Sequence, residues 1–498
     1  MNEWAELDRA LGAIAASGNA EVREDGEWLA EFADLHCEVH SRNKAPLVHL
    51  WSDQRNLTRR ILGVQEQSDD RVVLEVQRFG RTKPSRLEVA RADARRPIGR
   101  ITREQFRARL RRMLAEKFPD AVIDSLTASP DLEHSFSGVY VRGSMHEGAR
   151  AWAVLAIAPG ENAAVVEGAL SFGVLWLDWM RSRAEKRAVE GLRIFVPERS
   201  SRFLHERACA LAPNARAEIF EFSEAEGTVE KTDPADAGNL QSFLIPRREA
   251  ESALTAALEA ASRCPALDRE LRKGIGTIRE RVLPGAAEVA FAYRGLDVVL
   301  WSRDGLRFGL GESQERLTHG SEPGLERLFD RLATYRNPLA SDTNHSLYRA
   351  APERWLETLI LDDPTKLDAQ LDPEQIYSQV PALAASDRGV IDLLGVTRRG
   401  RLVVIEVKAS EDIHMPLQAA DYWLRVRRHQ RDGDFERYGY FSNVALDSKP
   451  PMLWLVAPGL RFHSATDTLL RYLSPEIQVT RIGINENWRR GIRVIFRQ

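Results

Sequence analysis

Three charged side chains stand in a segment that is otherwise built for a sheet interior. The stretch "VIDLLGVTRRGRLVVIEVKAS", residues 390–410, is dominated by valine, leucine and isoleucine, yet it opens with Asp392 and closes with Glu406 and Lys408. Arg398-Arg399-Gly400 reads as a three-residue hairpin loop with glycine at the position that needs positive φ, which pairs Thr397 with Arg401. Counting outward along the ladder then sets Asp392 opposite Glu406, and side-chain alternation adds Lys408 to the same face. A loop of another length moves the pairing, and an odd shift sends Asp392 to the other face. Burying a lone carboxylate or ammonium costs several kcal/mol, so the three must be solvated, paired with one another or bound to a cation. Two facing acids repel unless a cation lies between them. A hard divalent ion such as Mg²⁺ prefers oxygen ligands and keeps waters suited to phosphate chemistry, while a neighbouring lysine can orient or help deprotonate an attacking water.

The flanking elements add to this trio. "HMPLQAADYWLRVRRHQR" predicts a helix with Gln418 and Tyr422 at i and i+4, on one face. Upstream, "APERWLETLI" predicts another helix, with Glu353 and Glu357 sharing a face. This order of acid, E-x-K and Q-x-x-x-Y resembles the PD-(D/E)XK nuclease superfamily, in its RecB-type branch, over roughly residues 345 to 465. The resemblance implies an α/β fold, a mixed sheet flanked by helices, that cuts DNA with Mg²⁺, with Mn²⁺ as an alternative. It implies Asp392, Glu406 and the backbone carbonyl of Val407 as metal ligands, completed by Glu353 or, on the same face, Glu357. Lys408 would then place the nucleophilic water, and Gln418 and Tyr422 would support the site and touch the nucleic acid. Ile391 stands where the family name has proline.

A second copy without the chemistry is legible upstream. "GVYVRGSMHEGARAWAVLAIAP" (138–159) tracks "GVIDLLGVTRRGRLVVIEVKA" (389–409) with one extra residue in the turn, setting Val141 at Asp392, Ala156 at Glu406 and Ala158 at Lys408. Downstream, Ser171 falls at Gln418, Leu175 at Tyr422 and Trp176 at Trp423. The strands "GLRIFVPE" and "MLWLVAPG" follow, then matching helices and the strands "AEIFEF" and "IQVTRI". A degenerate copy that binds no metal is expected. An offset near 250 also relates "VHLWSD" to "VVLWSR", each in a β-rich stretch. The expected fold class is therefore α/β with tandem PD-(D/E)XK-like domains and small β-rich and helical accessory segments. The expected order is an N-terminal helical segment and β-rich module (1–98), the degenerate copy (99–227), a helical linker region and second β-rich module (228–345), and the nuclease domain (346–498).

Composition bounds the rest. The chain has 498 residues, 43% of them apolar and 29% charged, with a formal charge of −3, so any attraction to nucleic acid must be local. Residues 71–112 supply it, with 14 basic side chains against 4 acidic ones, a density suited to phosphate contact. The acidic N-terminus and the lack of an 18-residue apolar run predict a cytoplasmic protein with no membrane partner. Cys37, Cys209 and Cys264 are too scattered for a disulfide framework, and "HCEVH" (36–40) lacks a second ligand pair for a metal. "ITREQF" reads as a capping box from Thr102 to Gln105, starting a helix with Phe106, Leu110 and Met113 inward. "TVEKTDPADAGNL" (228–240) reads as a linker, and "PRREAESALTAALEAASRC" and "LDRELRKGIGTIRERVL" as two helices whose apolar residues serve a core rather than a dimer seam. DNA is the expected partner and a homodimer is open as an assembly. A non-catalytic nucleic-acid-binding scaffold and an RNA-cutting effector are the competing readings.

Overall fold

Period-two alternation of apolar and polar residues builds most of this chain into sheets, and the breaks in that pattern are where helices cover them. The computed structural model describes residues 3–498 apart from 17–19, 25–26, 33–35, 43–44, 52–55, 69, 78–83, 92–97, 132–133, 135, 162, 184–186, 224–225, 234–243, 275–276, 284–287, 312 and 382–389. Among the described residues the protein is α/β, with twelve α-helices, two antiparallel sheets and two mixed ones. Two compact units are each assembled from two stretches of chain: residues 1–99 with 251–358, and residues 100–250 with 359–498.

The first unit holds both antiparallel sheets. Helix α1 (Glu3–Ala15) is followed by β1 (Ala20–Glu24), β2 (Glu27–Phe32), β3 (His36–Arg42), β4 (Ala45–Trp51), β5 (Asn56–Gln67), β6 (Arg71–Gln77) and β7 (Ser85–Arg91), in the spatial order β2-β1-β7-β6-β5-β4-β3. Leu7, Leu11 and Ile14 of α1 bury their side chains in one core with Val48, Leu50 and Leu74. The second stretch begins in α5 (Arg247–Ser262) and α6 (Pro265–Leu271). It continues as a meander of β14 (Ile278–Val282), β15 (Glu288–Tyr293), β16 (Leu296–Ser302), β17 (Gly305–Leu310) and β18 (Ser313–Arg316), then α7 (Glu322–Tyr335) and α8 (Ser346–Arg349). Ala253, Ala257 and Ala261 of α5 lie in the core with Phe291 and Leu325. The "VHLW" of the first motif falls on β4 and the "VVLWS" of the second on β16, both interior strands of antiparallel sheets, but the sheets differ in strand number. The expected second helix over "LDRELRKGIGTIRERVL" does not form as one element. It stops at Leu271, Gly274 turns with φ +82°, and Ile278–Val282 pairs with β15 as an edge strand.

The second unit holds two mixed sheets with one topology. Helix α2 (Ile98–Lys117) leads into β8 (Val122–Thr127), β9 (Tyr140–Glu147), β10 (Arg150–Ile157), α3 (Ala163–Ser182), β11 (Ala188–Pro197), α4 (Arg202–Ala208), β12 (Ala217–Ser223) and β13 (Thr228–Lys231). Helix α9 (Pro352–Asp362) leads into β19 (Leu371–Pro381), β20 (Val390–Thr397), β21 (Leu402–Val407), α10 (Met415–Arg431), α11 (Asp434–Arg437), β22 (Met452–Pro458), α12 (Thr466–Arg471), β23 (Gln478–Ile484) and β24 (Val494–Arg497). Each sheet runs in chain order, with two antiparallel pairings, two parallel ones and a final antiparallel one. Two features differ from expectation here. Helix α2 begins at Ile98, so Thr102 lies inside it rather than at its cap, although Phe106, Leu110 and Met113 are buried as expected. Thr228–Lys231 is an edge strand rather than linker, because Val229 packs into the core with Phe220 and Phe222; residues 234–240 lie outside the described ones.

The two copies meet crosswise. Helix α3 packs on α12 and α10 packs on α4, so each copy offers the same pair of elements to the other. The turns that follow α4 and α12 pair as well, through a bridge between Leu211 and Leu473, with the Ala212 amide donating to the Tyr472 carbonyl and the Ser474 amide to the Ala210 carbonyl, both at 2.8 Å. One apolar core, with Leu177 and Trp176 on one side and Tyr422 and Leu469 on the other, runs through both.

Candidate functional site

The hairpin loop determines which charges meet. The Thr397 amide donates to the Arg401 carbonyl at 2.8 Å, and Gly400 takes φ +85°. A Cβ at Gly400 would also lie 2.0 Å from the Ala445 carbonyl oxygen, so glycine is required on two counts. The ladder continues without a bulge through Val396 opposite Leu402 to Leu393 opposite Ile405, and its next step sets Asp392 opposite Glu406. Leu402, Val404 and Glu406 face α10, while Val403, Ile405 and Val407 face the other way.

Glu406 has no solvent exposure, and Lys408 Nζ stands 3.1 Å from its Oε1. Beyond that ion pair neither Glu406 oxygen accepts a hydrogen bond among the described residues. Burial pushes the Glu406 carboxyl well above the usual range, the Asp392 charge adds to this, and Lys408 opposes it. Lys408 is subject to the reverse balance. Burial works against its charge, but Glu406, Asp412 and Asp392 together outweigh burial and hold the ammonium protonated. Asp392 Oδ2 accepts from the Val407 amide at 2.9 Å, which ties the two strands together at the site.

The helix behind the hairpin completes the cluster. Gln418 Nε2 donates to the Tyr422 hydroxyl at 3.0 Å. That phenol is raised first by burial and then by Glu406, with Asp392 and Lys408 also within electrostatic reach. Asp392, Glu406, Lys408, Gln418 and Tyr422 therefore converge, as their spacing predicts. Asp412, which sequence reasoning passed over, joins them: it lies 3.5 Å from Lys408, four residues on, and accepts from the His414 amide at 2.8 Å. The signal was the i+4 spacing, obscured because this stretch is a turn rather than a helix. Glu353 and Glu357 lie on α9 in the portion that belongs to the first unit, where Glu357 is buried and within electrostatic reach of Arg281.

Whether the cluster suits a divalent cation turns on Glu406. A fully buried carboxylate facing a second carboxylate, with oxygens that accept nothing beyond one ion pair, is an unsatisfied acceptor set of the kind hard cations fill. The donors present thus fit such an ion, with Asp392 and Glu406 as its side-chain ligands, although no group of three or more His, Cys, Asp or Glu side chains suited to a metal is found among the described residues.

The upstream copy requires a correction of register. Glu406 lies five residues past Arg401, the first residue after its loop, and the residue five past Arg150 in the matching hairpin is Leu155. The parallel neighbours agree: Glu406 pairs with Leu455 and Leu155 with Ile194, at matching positions of "MLWLVAPG" and "GLRIFVPE". The positions of Asp392, Glu406 and Lys408 are thus held by Arg142, Leu155 and Ile157. Val141, Ala156 and Ala158 point to the opposite face, into the core under α2. A single gap placed in the turn flipped every side chain to the wrong face. Arg142 is buried, its guanidinium 5.0 Å from the Phe136 ring centroid and 2.7 Å from the Ser129 carbonyl, and burial lowers its pKa.

The other sequence candidates are occupied structurally. Arg71 bonds Glu66 and Glu88, and Arg107 and Arg111 bond carbonyls of β8, so part of the basic stretch serves the fold. In β3 the Cys37 thiol is pushed up to about 12, by burial and then by Asp8; the side chains of His36 and His40 lie outside the described residues. The described cysteines form no disulfide. No helix among the described residues is long and apolar enough to cross a membrane. Comparison with protein-family models, with curated proteins and with solved structures finds no match to this chain.

Proposed function

We propose that this protein is a metal-dependent nuclease of the PD-(D/E)XK type that hydrolyses phosphodiester bonds of DNA at the cluster of Asp392, Glu406 and Lys408. One observation carries the reading: Glu406 is fully buried, faces Asp392 across the hairpin, and offers oxygens that among the described residues only Lys408 meets. A purely structural glutamate at that position would be matched by donors or replaced by an apolar residue at lower cost. Asp392 and Glu406 would hold Mg²⁺ or Mn²⁺, which would supply Lewis-acid activation for phosphodiester hydrolysis.

The protein's own groups account for the remainder. Glu406 and Asp392 hold negative charge where a cation and a water must be oriented. Lys408, kept protonated by three carboxylates, acts as a fixed cation beside the attacking water and the phosphoryl oxygens, orienting the water rather than taking its proton. Asp412 limits the directions in which the lysine can swing. Tyr422, supported by Gln418, presents a neutral hydroxyl to the same space.

The test uses labelled single- and double-stranded DNA and RNA, incubated with Mg²⁺, Mn²⁺ or chelator. Metal-dependent cutting of DNA that falls by about 10²–10³-fold in Lys408→Ala is the expected result. DNA binding without cutting in any metal would favour the scaffold reading, and cutting confined to RNA would replace DNA as the substrate.

A further inference from the structure

Two nuclease-like copies joined crosswise repeat, within one chain, the arrangement of a two-fold dimer. In such a dimer each subunit offers the same surface, so residue i of one meets residue j of the other and the reverse. The second unit satisfies that rule with α3 on α12, α10 on α4, and the Leu211 and Leu473 turns paired reciprocally. The chemistry is not repeated: Asp392, Glu406 and Lys408 in one copy correspond to Arg142, Leu155 and Ile157 in the other. Building on the nuclease reading above, we infer that the protein cuts one strand of duplex DNA per engagement, as a nicking enzyme with a single working site.

A second working site would have to come from another chain, and the surface that pairs copies is already used. Its charges also disfavour exchange. At one end of the seam Arg425 of α10 reaches Glu206 of α4 at 2.8 Å; at the crosswise end Arg471 of α12 reaches Asp178 of α3 at 3.2 Å. The active copy thus supplies the cation at both ends and the upstream copy the acid. Two active copies placed together would bring Arg425 and Arg471 to the seam without Glu206 and Asp178 to answer them, which acts against that pairing. A third pair, Arg207 with Asp421 at 3.5 Å, runs the other way beside Arg425.

The chemical step is one hydrolysis. The water oxygen bonds to phosphorus, one P–O ester bond breaks, the water loses a proton and the leaving alkoxide gains one, so a phosphomonoester and a hydroxyl result on one strand. The other strand stays intact.

The full-length protein is incubated with supercoiled plasmid and Mg²⁺ or Mn²⁺, and products are followed from the earliest times. Its mass on a short duplex is measured by light scattering with chelator present. The expected outcome is that all early product is open circle, linear DNA appears only later through independent second hits, and one 56.2 kDa chain binds per duplex. Linear DNA forming together with open circle, or two chains on one duplex, overturns the single-site inference while leaving the nuclease reading intact. Cutting of single strands with the plasmid untouched also overturns it. No cutting of any DNA overturns the nuclease reading itself.

Discussion

Glu406 and His205 illustrate how individual buried groups set what this protein tolerates. Burial and the facing Asp392 make charge on Glu406 costly, and among the described residues only Lys408 is a direct partner. Adding Mg²⁺ to metal-free protein should therefore raise its melting temperature, at about 1 °C per kcal/mol for a chain this large. Glu406→Gln should lose that response while keeping a melting temperature in chelator no lower than that of the parent. A magnesium response that survives the substitution would place the ion elsewhere. His205 bonds Thr232 at 2.6 Å, and burial holds its imidazole below the usual histidine range. Because the folded value lies below the unfolded value of about 6.5, the unfolded chain binds more protons in that interval. The stabilisation is complete above that pH and is lost as pH falls through the folded value. Thermal melts of His205→Gln should show a shallower decline on acidification than the parent, and an unchanged slope would mean other groups set it.

Hairpins carry more of the design than their length suggests. The loop at 398–400 determines the face on which Asp392 lies, and Gly400 holds it with a left-handed backbone and no room for a Cβ beside Ala445. Gly400→Ala should cost at least about 1–2 kcal/mol in chemical denaturation, since the left-handed backbone alone costs that much and the clash adds to it. A smaller loss would mean that the loop relaxes easily. The facing of Asp392 and Glu406 was legible in the sequence because one glycine and strict alternation define it. The face of the upstream strand was not, since neither Val141 nor Arg142 is excluded by type and a gap in the turn can be placed either way. Parallel pairing with β11 resolves it, and that is a tertiary fact. The segment after α6 was misread for a related reason: charged residues at helical spacing concealed Ile278 and Val282, whose partners come from β15. Asp412 escaped notice because its meeting with Lys408 arises from a turn rather than from a regular element.

At the scale of the molecule, the seam between the two mixed sheets bears the most on whether the protein works. Arg425 is almost fully buried and answers two acids, Glu206 at 2.8 Å and Asp421 at 3.2 Å, one from each copy. Burial raises the Glu206 carboxyl, Arg425 opposes this, and Asp421 adds to it. Arg425→Leu leaves both carboxylates without that cation, and breaking a buried pair in this way costs about 3–5 kcal/mol. The sign of its pH dependence follows. With the arginine gone, Glu206 holds its proton more tightly in the folded state, so the deficit is smallest in acid, where that carboxyl is neutral, and grows as pH rises through its folded value. Arg425→Leu with Glu206→Leu should recover part of the loss, because one stranded carboxylate is removed along with its partner, and the double-mutant cycle reads their coupling directly. Additive losses would show that the Arg425–Glu206 pair does not hold the two copies together. If the proposed DNA cutting is lost with that coupling while Lys408→Ala leaves the coupling untouched, the upstream copy acts as a structural half, separate from the proposed chemistry at Lys408.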